Sequence, residues 1–157
     1  MRKNTLSCQC RIRFSVRIGR AEDYQQAKNI LNRGHHPTYI GPHMVRRSAR
    51  NGGLIFFDFH SERLAVAVIN AHHNILLVLN VIPEHRSHGL GTAIMQYLQV
   101  NWVRAIESAV PFFEHLGYIK IGEPKQGRQF ITWLMVRKDL IELSGRLRAL
   151  LSPEWNH

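Results

Sequence analysis

The chain has 157 residues, enough for one domain that buries roughly two-thirds of the surface of its unfolded form. Its composition, 45% hydrophobic and 20% charged, excludes a disordered chain, and no apolar run approaches the ~18 residues a membrane-spanning helix needs. Lysine and arginine outnumber aspartate and glutamate 21 to 11, and the net charge of +10 favours an anionic partner: a phosphate-bearing cofactor, a nucleic acid or an acidic protein.

The N-terminus, Met1-Arg2-Lys3-Asn4, is basic, but no apolar core and cleavage site of a signal peptide follow it. Cys8 and Cys10 have no second pair to complete a zinc site, and they read as reduced thiols of a cytoplasmic protein. Arg11, Arg13, Ser15 and Arg17 alternate with Ile12, Phe14, Val16 and Ile18, a period-two strand with one apolar and one basic face. The basic face is either solvated or the border of an anion groove. Residues 21–33 read as a helix with Tyr24, Ala27, Ile30 and Leu31 on one side and Gly34 as its C-cap. From His35 to Gly53 the chain is irregular, with a short helix around 44–50; a stretch of this length is functional or mobile. His35, His36 and His43 lie close together without a recognisable metal-ligand spacing, so no metal is expected.

Residues 54–59 and 64–69 are apolar strands joined by a hairpin turn at His60-Ser61-Glu62-Arg63. The polar turn Asn70-Ala71-His72-His73-Asn74 then leads into an unbroken apolar run, Ile75-Leu76-Leu77-Val78-Leu79-Asn80-Val81-Ile82, which reads as a strand buried on both faces. Pro83 ends it, because proline cannot donate to a sheet ladder. A polar loop with Gly89 and Gly91 follows, and Leu90, Ile94 and Leu98 then recur at helical spacing, giving a helix over 92–100. A buried strand feeding a glycine turn that opens a helix gathers free N–H groups at the positive end of a helix dipole, an arrangement that binds phosphate. The loop is not a P-loop, since no lysine precedes Thr92, and it lacks the third glycine of the Rossmann fingerprint.

The pattern Val81-x-Pro83-Glu84-x-Arg86-x-x-Gly89-x-Gly91, set between strand and helix, resembles the acetyl-CoA loop of the GCN5-related N-acetyltransferases, the GNAT superfamily. A second match follows a short strand at 102–106: Ala109-Val110-Pro111-Phe112-Phe113-Glu114-His115-Leu116-Gly117-Tyr118 resembles the family's helix under the CoA tail and its closing glycine turn. Residues 119–122 and 130–136 read as a closing antiparallel pair around a loop at 123–128, and 139–151 as an extra amphipathic C-terminal helix before a tail at 152–157. That helix either covers a sheet edge in a monomer or pairs in a homodimer.

The resemblance implies a single α/β domain of GNAT fold over 1–157, with a mixed, mostly antiparallel sheet splayed at its central strand. It implies acetyl-CoA as co-substrate, held by the main chain and side chains of Arg86, Ser87, His88, Gly89, Leu90, Gly91 and Thr92, with Phe112 under the tail. CoA's own phosphates would account for part of the positive charge. The amides around Val81 and Ile82 would pair with pantetheine and polarise the thioester. In the family, the region between the first two strands walls the acceptor site, so His35, His36 and Tyr39 are the substrate-side groups. Two departures matter: the usual tyrosine that protonates the leaving thiolate is Phe113, and the usual asparagine is Ile106. Ser108, Tyr118, His115 or a water would have to serve as acid. Glu107, at the strand end facing the thioester, is the candidate base if partly buried, or else a helix cap; Asn80 would orient the acceptor.

The function implied is acetyl transfer to a primary amine of a small molecule or protein. A second reading, carried by a weaker resemblance to the GNAT-like phage Mom-type DNA-modification branch, makes the acceptor a nucleobase; the +10 charge and the arginines at 11/13/17 and 46/47/50 speak for it. A third, suggested by Phe113, is an inactive CoA-binding module.

Overall fold

A computed structural model describes residues 13–33, 40–86 and 89–151, with the side chains of 146–151 left aside. His35, His36, Tyr39, Ser87, His88, Arg11, Gly34 and the cysteines lie outside the described residues.

One seven-stranded sheet runs through the molecule in the order β1-β2-β3-β4-β5-β7-β6. Its strands are β1 (Ser15–Ile18), β2 (Leu54–Phe59), β3 (Glu62–Asn70), β4 (Ile75–Val81), β5 (Trp102–Ile106), β6 (Tyr118–Gln126) and β7 (Ile131–Arg137). Every neighbouring pair is antiparallel except β4 and β5. The hairpin between β2 and β3 is tighter than its sequence suggests. His60 and Ser61 alone make the turn, both at positive φ (47° and 65°), while Glu62 and Arg63 already pair with β2. A two-residue turn of that hand matches the twist of the strands it joins. Likewise, β6 runs on to Gln126 across an irregularity at Gly122-Glu123-Pro124, where a loop was expected.

Leu54 to Phe57 and Leu64 to Ile69 are buried at consecutive positions, so both faces of the sheet are covered there. Helices α1 (Tyr24–Leu31) and α2 (Pro42–Arg50) pack together on β2, β3 and β4, whereas α3 (Leu90–Leu98) lies over β4 and α4 (Val110–His115) over β5 and β6. A last helix, α5 (Lys138–Leu151), follows β7 directly and contacts it. The core is centred on Phe56, Phe57, Leu64, Leu76, Ile94 and Met135, each essentially inaccessible. A fully buried side chain of this kind contributes about 1.5–3 kcal/mol. Gly53 is irreplaceable for steric reasons: a Cβ there would stand 2.0 Å from the Ile69 carbonyl oxygen.

The feature that builds the site is the seam between β4 and β5. The two strands pair only at Ile75↔Trp102 and Leu76↔Val103, and no pairing continues beyond. Parallel strands that part after two residues leave main-chain groups of the central sheet facing a gap. No helix among the described residues is long and apolar enough to cross a membrane.

Candidate functional site

The gap opens on a cleft of about 450 Å³ lined by Leu79, Asn80 and Val81 of β4, Arg86, Gly89 and Gly91 of the loop, and Phe112 of α4. Ile82 donates its N–H to the Leu64 carbonyl on β3, at 2.9 Å. Antiparallel pairing alternates, and Val81 stands opposite Ala65 and Leu79 opposite Ala67. The peptide groups of Leu79 and Val81 are therefore turned towards the gap. Of the two amides expected there, that of Val81 faces the gap, whereas that of Ile82 is spent on the sheet; the peptide group of Leu79 faces the gap as well. Only the hydrogen-bond register could reveal this.

After a 3-10 turn at Pro83–His85, Gly89 takes a left-handed conformation (φ 75°) as the N-cap of α3. Non-glycine residues adopt it at a cost, which is the reason for glycine here. The first helical bond runs from the Ala93 N–H to the Gly89 carbonyl, so the N–H groups of Leu90, Gly91 and Thr92 precede the helical ladder at the positive end of the dipole. Leu90's side chain is buried in the core, leaving only its main chain to the cleft. A Cβ at Gly91 would come within 3.3 Å of the Phe112 ring. Gly91 thus lets α4 close against the loop.

Arg86 and Asn80 are structural neighbours before they are anything else. The Arg86 guanidinium donates from Nε to the Val81 carbonyl at 2.9 Å and from an Nη to Asn80 Oδ1 at 2.8 Å. Asn80 Nδ2 in turn donates to the Ile30 and Leu31 carbonyls at the C-terminus of α1, at 2.7 and 3.2 Å. The pair locks the loop, the end of β4 and α1 together. Asn80's amide is committed at both ends, which leaves no evident means of orienting an acceptor. Arg33 and Glu84 add an exposed ion pair of 2.9 Å between the end of α1 and the turn. The Glu84 carboxyl is held below its ordinary range, first by its own main-chain N–H and then by Arg33.

The remaining predicted groups divide. Glu107 and Ser108 open a 3-10 turn directly after β5, at the mouth of the gap, and both are exposed. The partial burial expected of a base at Glu107 is not found. Phe113 is buried against Phe112 and Tyr118, at ring-centroid distances of 5.0 and 6.0 Å. Tyr118 is turned elsewhere: it is buried, and its hydroxyl donates to the Val100 carbonyl, just before β5 begins and so at the far end of that strand from Glu107. Burial holds its phenol above the ordinary value. The structure does not bring Tyr118 to the gap. His115, the last residue of α4, is exposed.

A second cleft, of about 540 Å³, opens on the α2 side between that helix and the β6–β7 hairpin. Ile40, Met44 and Phe130 form apolar walls, and Arg104, Lys125 and Arg128 line it with charge. None of these residues was singled out in the sequence, because they come from separate segments and carry no motif. Leu77 lines this cleft and Leu79 the first. Two residues of strand separate them by ~7 Å, so both clefts open from one stretch of β4. Among the described residues, no group of His, Cys, Asp and Glu is placed to hold a metal ion.

The basic rows seen in the sequence are partly used within the fold. Arg17 pairs with Asp23 at 3.1 Å, and Arg46 lies 4.5 Å from the Tyr24 ring centroid. Arg63, on β3, pairs with Asp58 and covers the Phe56 ring.

No protein-family model matches the chain, nor does any curated protein sequence. Solved structures do. Naa50 from Arabidopsis thaliana, in complex with a bisubstrate analogue, superposes with a TM-score of 0.61 at 13% identity, over 80% of this chain and 98% of that one. The ribosomal-protein-S18-alanine N-acetyltransferase from Escherichia coli gives 0.57 at 17% identity, over 80% and 93%. A GNAT-family acetyltransferase from Bacillus cereus gives 0.56 at 14% identity, over 80% and 98%. The chain has the GNAT fold. In it, the parting of β4 from β5 and the Gly89–Gly91 turn are one construction. The strand end and the helix start meet at a gap that the fold cannot fill from its own main chain.

Proposed function

We propose that the protein is an acetyl-CoA-dependent N-acetyltransferase. The observation that carries this reading is the first cleft: a left-handed Gly89, three early N–H groups of α3 and the gap-facing peptide edge of Leu79 and Val81 in one recess. The helix start suits a pyrophosphate, and the strand edge suits an amide-bearing chain such as pantetheine. The Naa50 structure holds a bisubstrate analogue of CoA and an acetylated peptide, CoA-Ac-MVNAL, and that likeness supports the same placement here.

In the reaction, the neutral amine nitrogen attacks the thioester carbonyl, a C–N bond forms, and the C–S bond breaks as CoA thiolate leaves. The amine proton passes to Glu107 or to water, and water protonates the thiolate. Phe113 cannot donate a proton, and Tyr118 is engaged at the other end of β5. Holding donor and amine in register is therefore the main contribution of this site. The nucleobase reading retains the net charge of +10 as its support, and the test below includes it.

The test is calorimetric titration of acetyl-CoA into the wild type and Gly89→Glu, with a short DNA duplex titrated in parallel. Saturable binding by the wild type, lost in the variant, is the expected result. A wild type that ignores acetyl-CoA overturns the reading, and DNA binding that weakens steeply with salt would bring the nucleobase acceptor forward.

A further inference from the structure

The second cleft says something about the acceptor. Arg104, Lys125 and Arg128 line it, and no carboxylate does among the described residues. Lys125 pairs across the hairpin with Thr132, and Arg128 sits in the hairpin loop, so the β6–β7 hairpin carries these charges to the rim. Arg104 points from β5 into the same space. A simple alkylammonium entering here would meet like charge at Lys125 and Arg128. An amine that carries a carboxylate or phosphate meets the opposite: its anion is paired, and its ammonium, close to positive charge, loses its proton more readily. The second effect matters because the nucleophile must be neutral and the exposed Glu107 is a weak candidate for base.

We propose that this cleft selects primary amines that bear a carboxylate or phosphate group within a few bonds of the reacting nitrogen. The proposal rests on the acetyltransferase reading. Lys125 and Arg128 bind the anion, Arg104 lies deeper towards the β4–β5 gap, and Ile40, Met44 and Phe130 exclude water around the linking atoms. Leu77 and Leu79, two residues apart on β4, bring the anchored amine to the thioester. The new C–N bond forms and the C–S bond breaks there, as in the parent reaction, with no further reactant.

Acetyl transfer is measured by CoA release with matched acceptors. Two peptides with free N-termini differ only in Asp against Asn at the first position, and free aspartate and O-phosphoserine are tested beside them. Each is assayed with the wild type and with Lys125→Glu/Arg128→Glu. The acidic peptide, or the small acids, should exceed the amide peptide in kcat/KM by at least ~10-fold, a difference of about 1.4 kcal/mol. The double variant should reverse the order, preferring the amide peptide. Activity on the peptide arm alone assigns the anion to a polypeptide, and activity on the amino acids alone to a small molecule. Equal rates on acidic and amide acceptors, or an acidic preference that survives charge reversal, overturn the proposal while leaving the parent reading intact. Failure of acetyl-CoA to bind, seen by calorimetry beforehand, is instead a failure of the parent reading.

Discussion

The two clefts on either side of Leu77 and Leu79 are built from different materials. The first cleft, the proposed donor side, is main chain: a strand edge, two glycines, and the first turn of α3, held by the Asn80–Arg86 clasp. The second cleft, the proposed acceptor side, is side chains brought from α2, β5 and the β6–β7 hairpin. Main-chain sites are intolerant of substitution and attached to the stability of the fold. Side-chain sites on a hairpin rim can be recharged at little structural cost. The difference separates what this fold does with any occupant from what this chain selects.

The largest effect should come from placing a carboxylate among the donor-side amides. Gly91→Glu crowds Phe112 and opposes the pyrophosphate, and acetyl-CoA binding by calorimetry should weaken at least ~100-fold, about 2.7 kcal/mol. Retained affinity would break the comparison at its base. Asn80→Ala should come next. It strips partners from the α1 carbonyls and from Arg86, and urea denaturation should show a loss of about 1–3 kcal/mol. An unchanged midpoint would mean that the clasp does not hold the donor side.

Tyr118→Phe removes one buried hydrogen bond and should lower stability near neutral pH by about 1 kcal/mol. Its pH dependence is the sharper test. Burial raises the folded phenol above its ordinary 10.0, so above that pH the unfolded state loses its proton first. The contribution is complete below pH 10.0 and declines as pH rises through the folded value. Thermal melts of the wild type should show this alkaline decline, and those of Tyr118→Phe a shallower one. Equal slopes would place the sensitivity elsewhere. Smallest of all, Lys125→Ala and Arg128→Ala should each shift stability by no more than about 0.5 kcal/mol, since both side chains are exposed. A larger loss would make the hairpin rim part of the fold's support rather than a surface open to change.

Much of this was legible in the amino-acid order because it is local. An apolar run stopped by proline and followed by two glycines and a helical repeat determines a strand, a turn and a helix in succession, and their junction gathers the free N–H groups that suit a phosphate. The same locality made Phe113 readable as a missing donor, since its neighbours Ala109, Glu114 and Gly117 set its place.

What tertiary structure decided is whatever depends on a partner distant in sequence. Register on β3 turned Ile82 away from the gap and Leu79 towards it. Asn80, a free polar residue in the sequence, became a clasp when α1 ended beside it, 50 residues earlier in the chain. Tyr118 was carried to the opposite end of β5 because a buried hydroxyl must find an acceptor, and Val100 supplies one. The cationic cleft exists only where three segments converge, and no spacing along the chain encodes a distance between strands.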